Sequence, residues 1–218
     1  MLEFSAFSLQ KRIRHVTSPA GSCLPDAVFL CGPRCRTLGN PAAHTSTGGG
    51  AKTGYAAVNG IKVYYTRTGH GSPVVLLHGG LSNSDYWGNQ VKALAAKHTV
   101  ISIDSRGHGR SSRDDKPYGY DLMADDVVAV LDSLKIPRAD IVGWSDGAII
   151  GIDLALRHPD RIGKVFAFAA NTQTSGVKDA VEKNPTFAAF IERAGKEYAK
   201  LSPTPKEYDA FVEQISHM

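Results

Sequence analysis

"DIVGWSDGAII", residues 140–150, places one serine between two glycines, where an apolar run gives way to a helical pattern. The segment "ADIVGW" (139–144) reads as a strand, and the spacing from Asp146 to Arg157 reads as a helix. A strand that becomes a helix across one residue must bend sharply. It can do so only where the residues two places away on either side are small, as Gly143 and Gly147 are. The bend predicts strained backbone at Ser145, with the hydroxyl lifted above the sheet. The first amides of the helix then point toward that hydroxyl and offer partial positive charge to an oxyanion. The pentapeptide G-x-S-x-G alone is a weak signal. Its placement between strand and helix carries the weight.

Working outward, "PVVLLH" (73–78) is a continuous apolar run, as expected of a strand covered on both faces. "TVISID" (99–104) and "KVFAFAA" (164–170) read as further strands. Ser84 is read as capping a helix from Asp85 to Ala96 that buries Trp87, Val91 and Leu94. Asp121 is read as capping a helix with Leu122, Val127, Val130, Leu131 and Leu134 on one face. "TGYAAV" and "IKVYYTRT" flank Asn59-Gly60, a two-residue hairpin signal. Strands alternating with helices predict an α/β fold: a mostly parallel sheet with helices on both faces and an antiparallel hairpin at its start. Beyond Asn171 the strand pattern stops. Segments 177–183, 186–200 and 205–216 read as helices separated by Pro185, Pro203 and Pro205.

Composition narrows the partners. Five of the basic side chains (Lys11, Arg12, Arg14, Arg34, Arg36) lie in residues 1–50 against Glu3 and Asp26, leaving 20 basic and 19 acidic in the rest. A charge-balanced body has no electrostatic footprint for nucleic acid, and no apolar run approaches the roughly 20 residues of a membrane span. Cys23, Cys31 and Cys35 all sit in the basic segment, an odd number with irregular spacing. They fit neither a disulfide framework nor, without a CxxC pair, a zinc site with His15 or His44. No metal or organic cofactor is implied. Residues 1–52 read as a disordered or leader extension, with a targeting segment as the alternative. The cytoplasm is the favoured compartment. "GGGAKT" (48–53) only imitates a phosphate loop, since Ala51 precedes Lys52 and no apolar strand leads into it.

A second loop supports the serine. "LLHGG" (76–80) ends a buried strand with backbone able to donate an N–H. "VVLLHGG", "VISIDSRGHGRSS" and "DIVGWSDGAIIGIDLALRHPDRI", in that order and spacing, resemble the α/β-hydrolase superfamily over about residues 53–218. The elbow "GWSDG" with Asn171 downstream looks closest to biphenyl-hydrolase-like and enol-lactonase-like serine esterases. The resemblance implies an α/β-hydrolase fold and a carboxylic ester or lactone as small-molecule substrate. It implies Ser145 as nucleophile of an acyl-enzyme and the N–H groups of Gly80 and Asp146 as oxyanion donors, with Leu81 in place of Gly80 as the alternative. It divides the chain into a hydrolase core (53–175) and a helical cap segment (176–218). A carboxylate at Asp146 caps its helix, and it would also suit a substrate with positive charge near the ester.

The same resemblance places the catalytic acid and histidine after later strands. After Ser145 the sequence holds only His158, in "RHPDR", and His217, and neither follows a strand. Asn171 stands where some relatives carry the acid. His108 in "GHGRSS" and His78 before the glycine loop read as structural histidines. The expectation is therefore a C-terminally truncated hydrolase with the final strands, acid and base missing. Its last strand would be an exposed edge and its own turnover slight. The alternative is a non-catalytic fragment acting as a binding or interaction module. The serine at position 145 argues against an aspartate nucleophile of the dehalogenase kind, whereas peroxidase-like and carbon–carbon bond hydrolases keep the serine and stay open as alternatives.

Overall fold

Apolar runs of alternating destination organise the sheet. In β3 (Ser72–Leu77), Val75 and Leu77 enter one core while Val74 and Leu76 enter another on the opposite face. All four are fully buried or nearly so, which is why that run shows no polar alternation. The computed structural model describes residues 50–173, 176 and 184–218. The readings of a leader, the cysteines and a helix at 177–183 lie outside the described residues.

Six strands form one sheet in the order β1-β2-β4-β3-β5-β6. β1 (Lys52–Val58) and β2 (Ile61–Gly69) pair antiparallel around Asn59-Gly60, whose φ values of 46° and 85° are both positive, as a tight hairpin turn requires. β2 also runs antiparallel to β4 (His98–Ile103). β4, β3, β5 (Ala139–Trp144) and β6 (Ile162–Phe168) are mutually parallel, joined by helical crossovers. α1 (Gly88–Leu94) covers the face of Val74, Leu76, Val100 and Trp87. α2 (Tyr120–Ser133) and α3 (Asp146–Arg157) cover the other. The mostly parallel sheet with its antiparallel opening is the architecture expected from the sequence.

Three details differ from expectation. The helix after β3 starts as a 3-10 turn, Ser84–Trp87, capped by Asn83, whose Oδ1 accepts from Asp85 N at 3.0 Å. Ser84 cannot cap, because it lies inside that turn with its own N–H held by Asp104 Oδ1 at 2.7 Å. α2 begins from Gly119 in extended conformation, and Asp121 sits in the first turn. β6 begins two residues earlier than its apolar pattern suggested, at Ile162, which is buried.

β6 ends the sheet. Phe166 and Phe168 are 63% and 60% exposed there, so the expected open, apolar edge is present among the described residues. After β6 come α4 (Pro185–Leu201), capped by Asn184 with Pro185 at its first position, and α5 (Tyr208–Ser216). Tyr198 and Phe211 stack at 5.0 Å and join the larger core.

The loop after β4 is anchored electrostatically. Arg106 is fully buried, with Nε and Nη2 donating to the two Asp126 oxygens at 2.8 and 2.7 Å, and Nη1 2.9 Å from Asp114. Asn59 of the hairpin donates to the same Asp126 at 2.9 Å. Hairpin, loop and α2 thus share one carboxylate. Removing it leaves the buried Arg106 with Asp114 alone, and breaking a buried pair of this kind typically costs about 3–5 kcal/mol. Asp126→Ala is expected to lower unfolding stability by that amount in urea titration, and a change below about 1 kcal/mol would show that the network is dispensable.

Candidate functional site

Ser145 sits between β5 and α3 with φ 53° and ψ −120°, a region that L-residues occupy only under constraint. Strain of this kind costs on the order of 1–3 kcal/mol, so the surroundings must hold it. They hold it from both sides. Ser145 N donates to Phe168 O of β6 at 2.9 Å, while Ser145 O accepts from Ala148 N at 2.8 Å and Ile149 N at 3.1 Å. A side chain on Gly143 would run into the backbone of Gly147, and one on Gly147 would run into the Leu77 carbonyl at the end of β3. The glycine spacing read from sequence is therefore a packing requirement: α3 starts flush against two strands.

The loop after β3 closes over the same point. A methyl group placed on Gly79 would lie 3.1 Å from Ser145 Cβ, and one on Gly80 would collide with the Asp146 carboxylate. Ser145, Asp146 and Gly80, the three residues singled out by sequence, are thus neighbours. Asp146 is the first residue of α3, where backbone N–H groups have no intrahelical acceptor. Leu81, the alternative donor, is left-handed with φ 59° and borders the same space.

Three donors converge on the Gly79 carbonyl and fix this loop. Ser82 N reaches it at 3.2 Å, Ser82 Oγ at 2.5 Å and His78 Nδ1 at 2.7 Å. His78 Nε2 accepts from Ser105 N at 3.0 Å, so the proton resides on Nδ1 and the ring is neutral. Burial pushes the His78 pKa down. His108 lies with its ring 5.0 Å from His78, and its Nδ1 donates to Arg106 O at 2.9 Å. Burial and the neighbouring His78 push its pKa down to about 3. Both rings are structural, as expected, and neither lines the cavity at Ser145.

The two histidines that follow Ser145 in the chain lie elsewhere. His158 follows the last residue of α3, a helix of 12 residues, and so lies about 18 Å along its axis from the elbow. It contacts Asp125 at 3.0 Å. His217 is exposed beyond α5. Among the described residues, no imidazole and no carboxylate hydrogen-bonds the Ser145 hydroxyl. Asn171 lies past β6, half-buried.

A cavity of about 1250 Å³ opens over Ser145. Trp144, Tyr86, Phe187 and Phe190 wall it, with ring separations near 6.2–6.3 Å between neighbours. Tyr120 OH donates to Asp146 Oδ1 at 3.2 Å. Burial lifts the Asp146 carboxyl above its ordinary range, and the Tyr120 donor opposes that lift. Sequence reasoning missed Tyr120 and Tyr86, since a tyrosine at a helix start carries no local mark of a partner 26 residues on. Phe187 and Phe190 of α4 likewise carry no local sequence mark that they face a cavity.

The alpha/beta hydrolase fold family matches residues 72–200. A protein of Caulobacter segnis with the provisional name carbamate hydrolase RutD is 46% identical over 98 residues, covering 44% of this chain and 37% of that protein. The human serine hydrolase BPHL is 36% identical over 121 residues, covering 53% of this chain and 42% of BPHL. The crystal structure of the enol-lactonase from Burkholderia xenovorans LB400 superposes with a TM-score of 0.55 at 29% identity, covering 65% of this chain and 66% of that one. The chain spans about two-fifths of the length of these curated relatives. Among the described residues no helix is long and apolar enough to cross a membrane.

The buried neutral histidines give stability a defined pH dependence. Unfolded, His108 titrates near 6.5, whereas in the fold its pKa is held near 3. Between those values the unfolded chain binds a proton that the folded chain does not, so stability falls as pH drops. His108→Phe is expected to reduce the slope of unfolding free energy against pH between about 4 and 6 by up to one proton, roughly 1.4 kcal/mol per pH unit. Identical slopes in denaturant titrations of the two proteins would contradict the assignment.

Proposed function

This chain belongs to the alpha/beta hydrolase fold family, and from that premise we propose that it hydrolyses a carboxylic ester or lactone through an acyl-enzyme on Ser145. The observation that carries the reading is the backbone of Ser145 at φ 53° between strand and helix, packed against the Gly79-Gly80 loop. In this reading the serine oxygen attacks the substrate carbonyl, and its proton leaves toward a base. The Gly80 and Asp146 amides stabilise the oxyanion, each worth roughly 3–4 kcal/mol where such donors have been removed. Asp146 lies against Gly80, as that pairing requires. The names of the relatives, a serine hydrolase, an enol-lactonase and a provisional carbamate hydrolase, favour acyl transfer to water at an activated carbonyl. Residues 53–175 then serve as the hydrolase core and 176–218 as a cap that sets Phe187 and Phe190 against the cavity.

One observation favours the second reading, a binding module without turnover. Among the described residues no histidine hydrogen-bonds Ser145 or lines its cavity, and without a base the attack has only the oxyanion donors and binding behind it. Such residual catalysis still reaches about 10³–10⁴-fold over water in a serine protease stripped of its triad. The two readings separate on p-nitrophenyl acetate. The expected result is slow acylation located by mass spectrometry on the peptide containing Ser145, absent in Ser145→Ala, with few turnovers. Acylation elsewhere, or equal acylation of Ser145→Ala, would reject the acyl-enzyme and leave the binding module.

A further inference from the structure

The cavity over Ser145 is bordered by two side chains of opposite charge. The Asp146 carboxylate lies at the serine end, against Gly80. At the rim stands Arg193 of α4, whose side chain is 57% exposed and which also borders a smaller cleft with Asn83, Asp85 and Glu197. Trp144, Tyr86, Phe187 and Phe190 line the cavity along with these two charged residues.

Arg193 is held in place before any ligand arrives. Its Nε donates to Tyr86 OH at 3.0 Å and lies 3.6 Å from Glu197 Oε1. Glu197 is itself held by Asn83 Nδ2 at 3.1 Å. The guanidinium carbon lies 5.2 Å from the Tyr86 ring centre and 5.9 Å from that of Phe190, within cation–π range. These contacts engage Nε and leave both outer nitrogens without a partner among the described residues. A fixed guanidinium with two free donors matches the two oxygens of a carboxylate, and little side-chain freedom remains to be lost on binding.

We propose that Arg193 is a specificity residue that binds a carboxylate at the end of the substrate remote from the scissile carbonyl. Asp146 repels the same carboxylate from the serine end, so the two charges together fix which way round the substrate lies. The preferred substrate class is then an ester or lactone that also bears a free carboxylate. The inference rests on the proposed reaction only in placing the carbonyl at Ser145.

The test uses ligands that cannot acylate the serine: monoamides of succinic, glutaric, adipic and suberic acids, each beside the neutral alkyl amide of equal length. Binding is read from tryptophan fluorescence, since Trp144 lines the cavity. At least one monoamide is expected to bind about tenfold more tightly than its neutral counterpart, an advantage that shrinks at about 0.5 M salt. Arg193→Gln is expected to abolish the advantage and leave neutral-amide affinity unchanged, while Arg193→Lys keeps part of it. Equal affinities throughout the series, an advantage that survives Arg193→Gln, or loss of neutral-amide binding in that variant would each overturn the proposal. Because these affinities should be the same in Ser145→Ala, failure of the acyl-enzyme reading and failure of this one are told apart.

Discussion

One backbone reversal sets the position of everything else at the site. Between Trp144 and Asp146 the chain leaves the sheet and enters a helix through a single residue with positive φ. The conformation is unfavourable for serine, and it persists because neighbours on three elements leave no alternative. β6 takes the Ser145 amide, α3 takes its carbonyl, and Gly147 lies on the end of β3 with no room for a side chain. The strain is therefore local and its support is global. The parallel sheet, with β3, β5 and β6 side by side, keeps three strand ends level beneath one hydroxyl.

Around that point the polar groups are arranged so that few of them are free to move. The glycine loop is fixed through one carbonyl by a neutral histidine and a serine. Asp104 ties the helix after β3 to the loop after β4 through Ser84 and Arg110 amides at 2.7 and 2.8 Å. Such fixed dipoles suit a site where negative charge develops briefly on an oxygen, because they need no reorganisation at that moment. In the proposed reaction, the protein's contribution is this standing field. The buried His78 and His108 support the scaffold, and among the described residues no histidine lines the cavity at Ser145.

The elements legible in the sequence are those whose signal is local. The hairpin at Asn59-Gly60, the two-sided burial of "PVVLL" and the strand-to-helix switch at Ser145 all follow from neighbours within a few residues. The Ser84 reading failed because a distant carboxylate, Asp104, takes its N–H and shifts the cap to Asn83. The charge pattern of the cavity was equally hidden. Tyr120 meets Asp146, and Arg193 meets Tyr86, across 26 and 107 residues of chain, and no spacing rule reaches that far. The fold class was thus readable in full, the proposed nucleophile and its loop were readable by position, and the cavity's walls were not.

The most direct test of the central claim is a crystal structure of the chain after reaction with an alkyl fluorophosphonate. The account predicts phosphorus bonded to Ser145 Oγ, residue 145 still in its positive-φ bend, and a phosphoryl oxygen about 2.7–3.1 Å from the Gly80 and Asp146 amide nitrogens. Residue 145 within a regular helix, or an adduct whose oxygen turns away from the 79–81 loop, would contradict it.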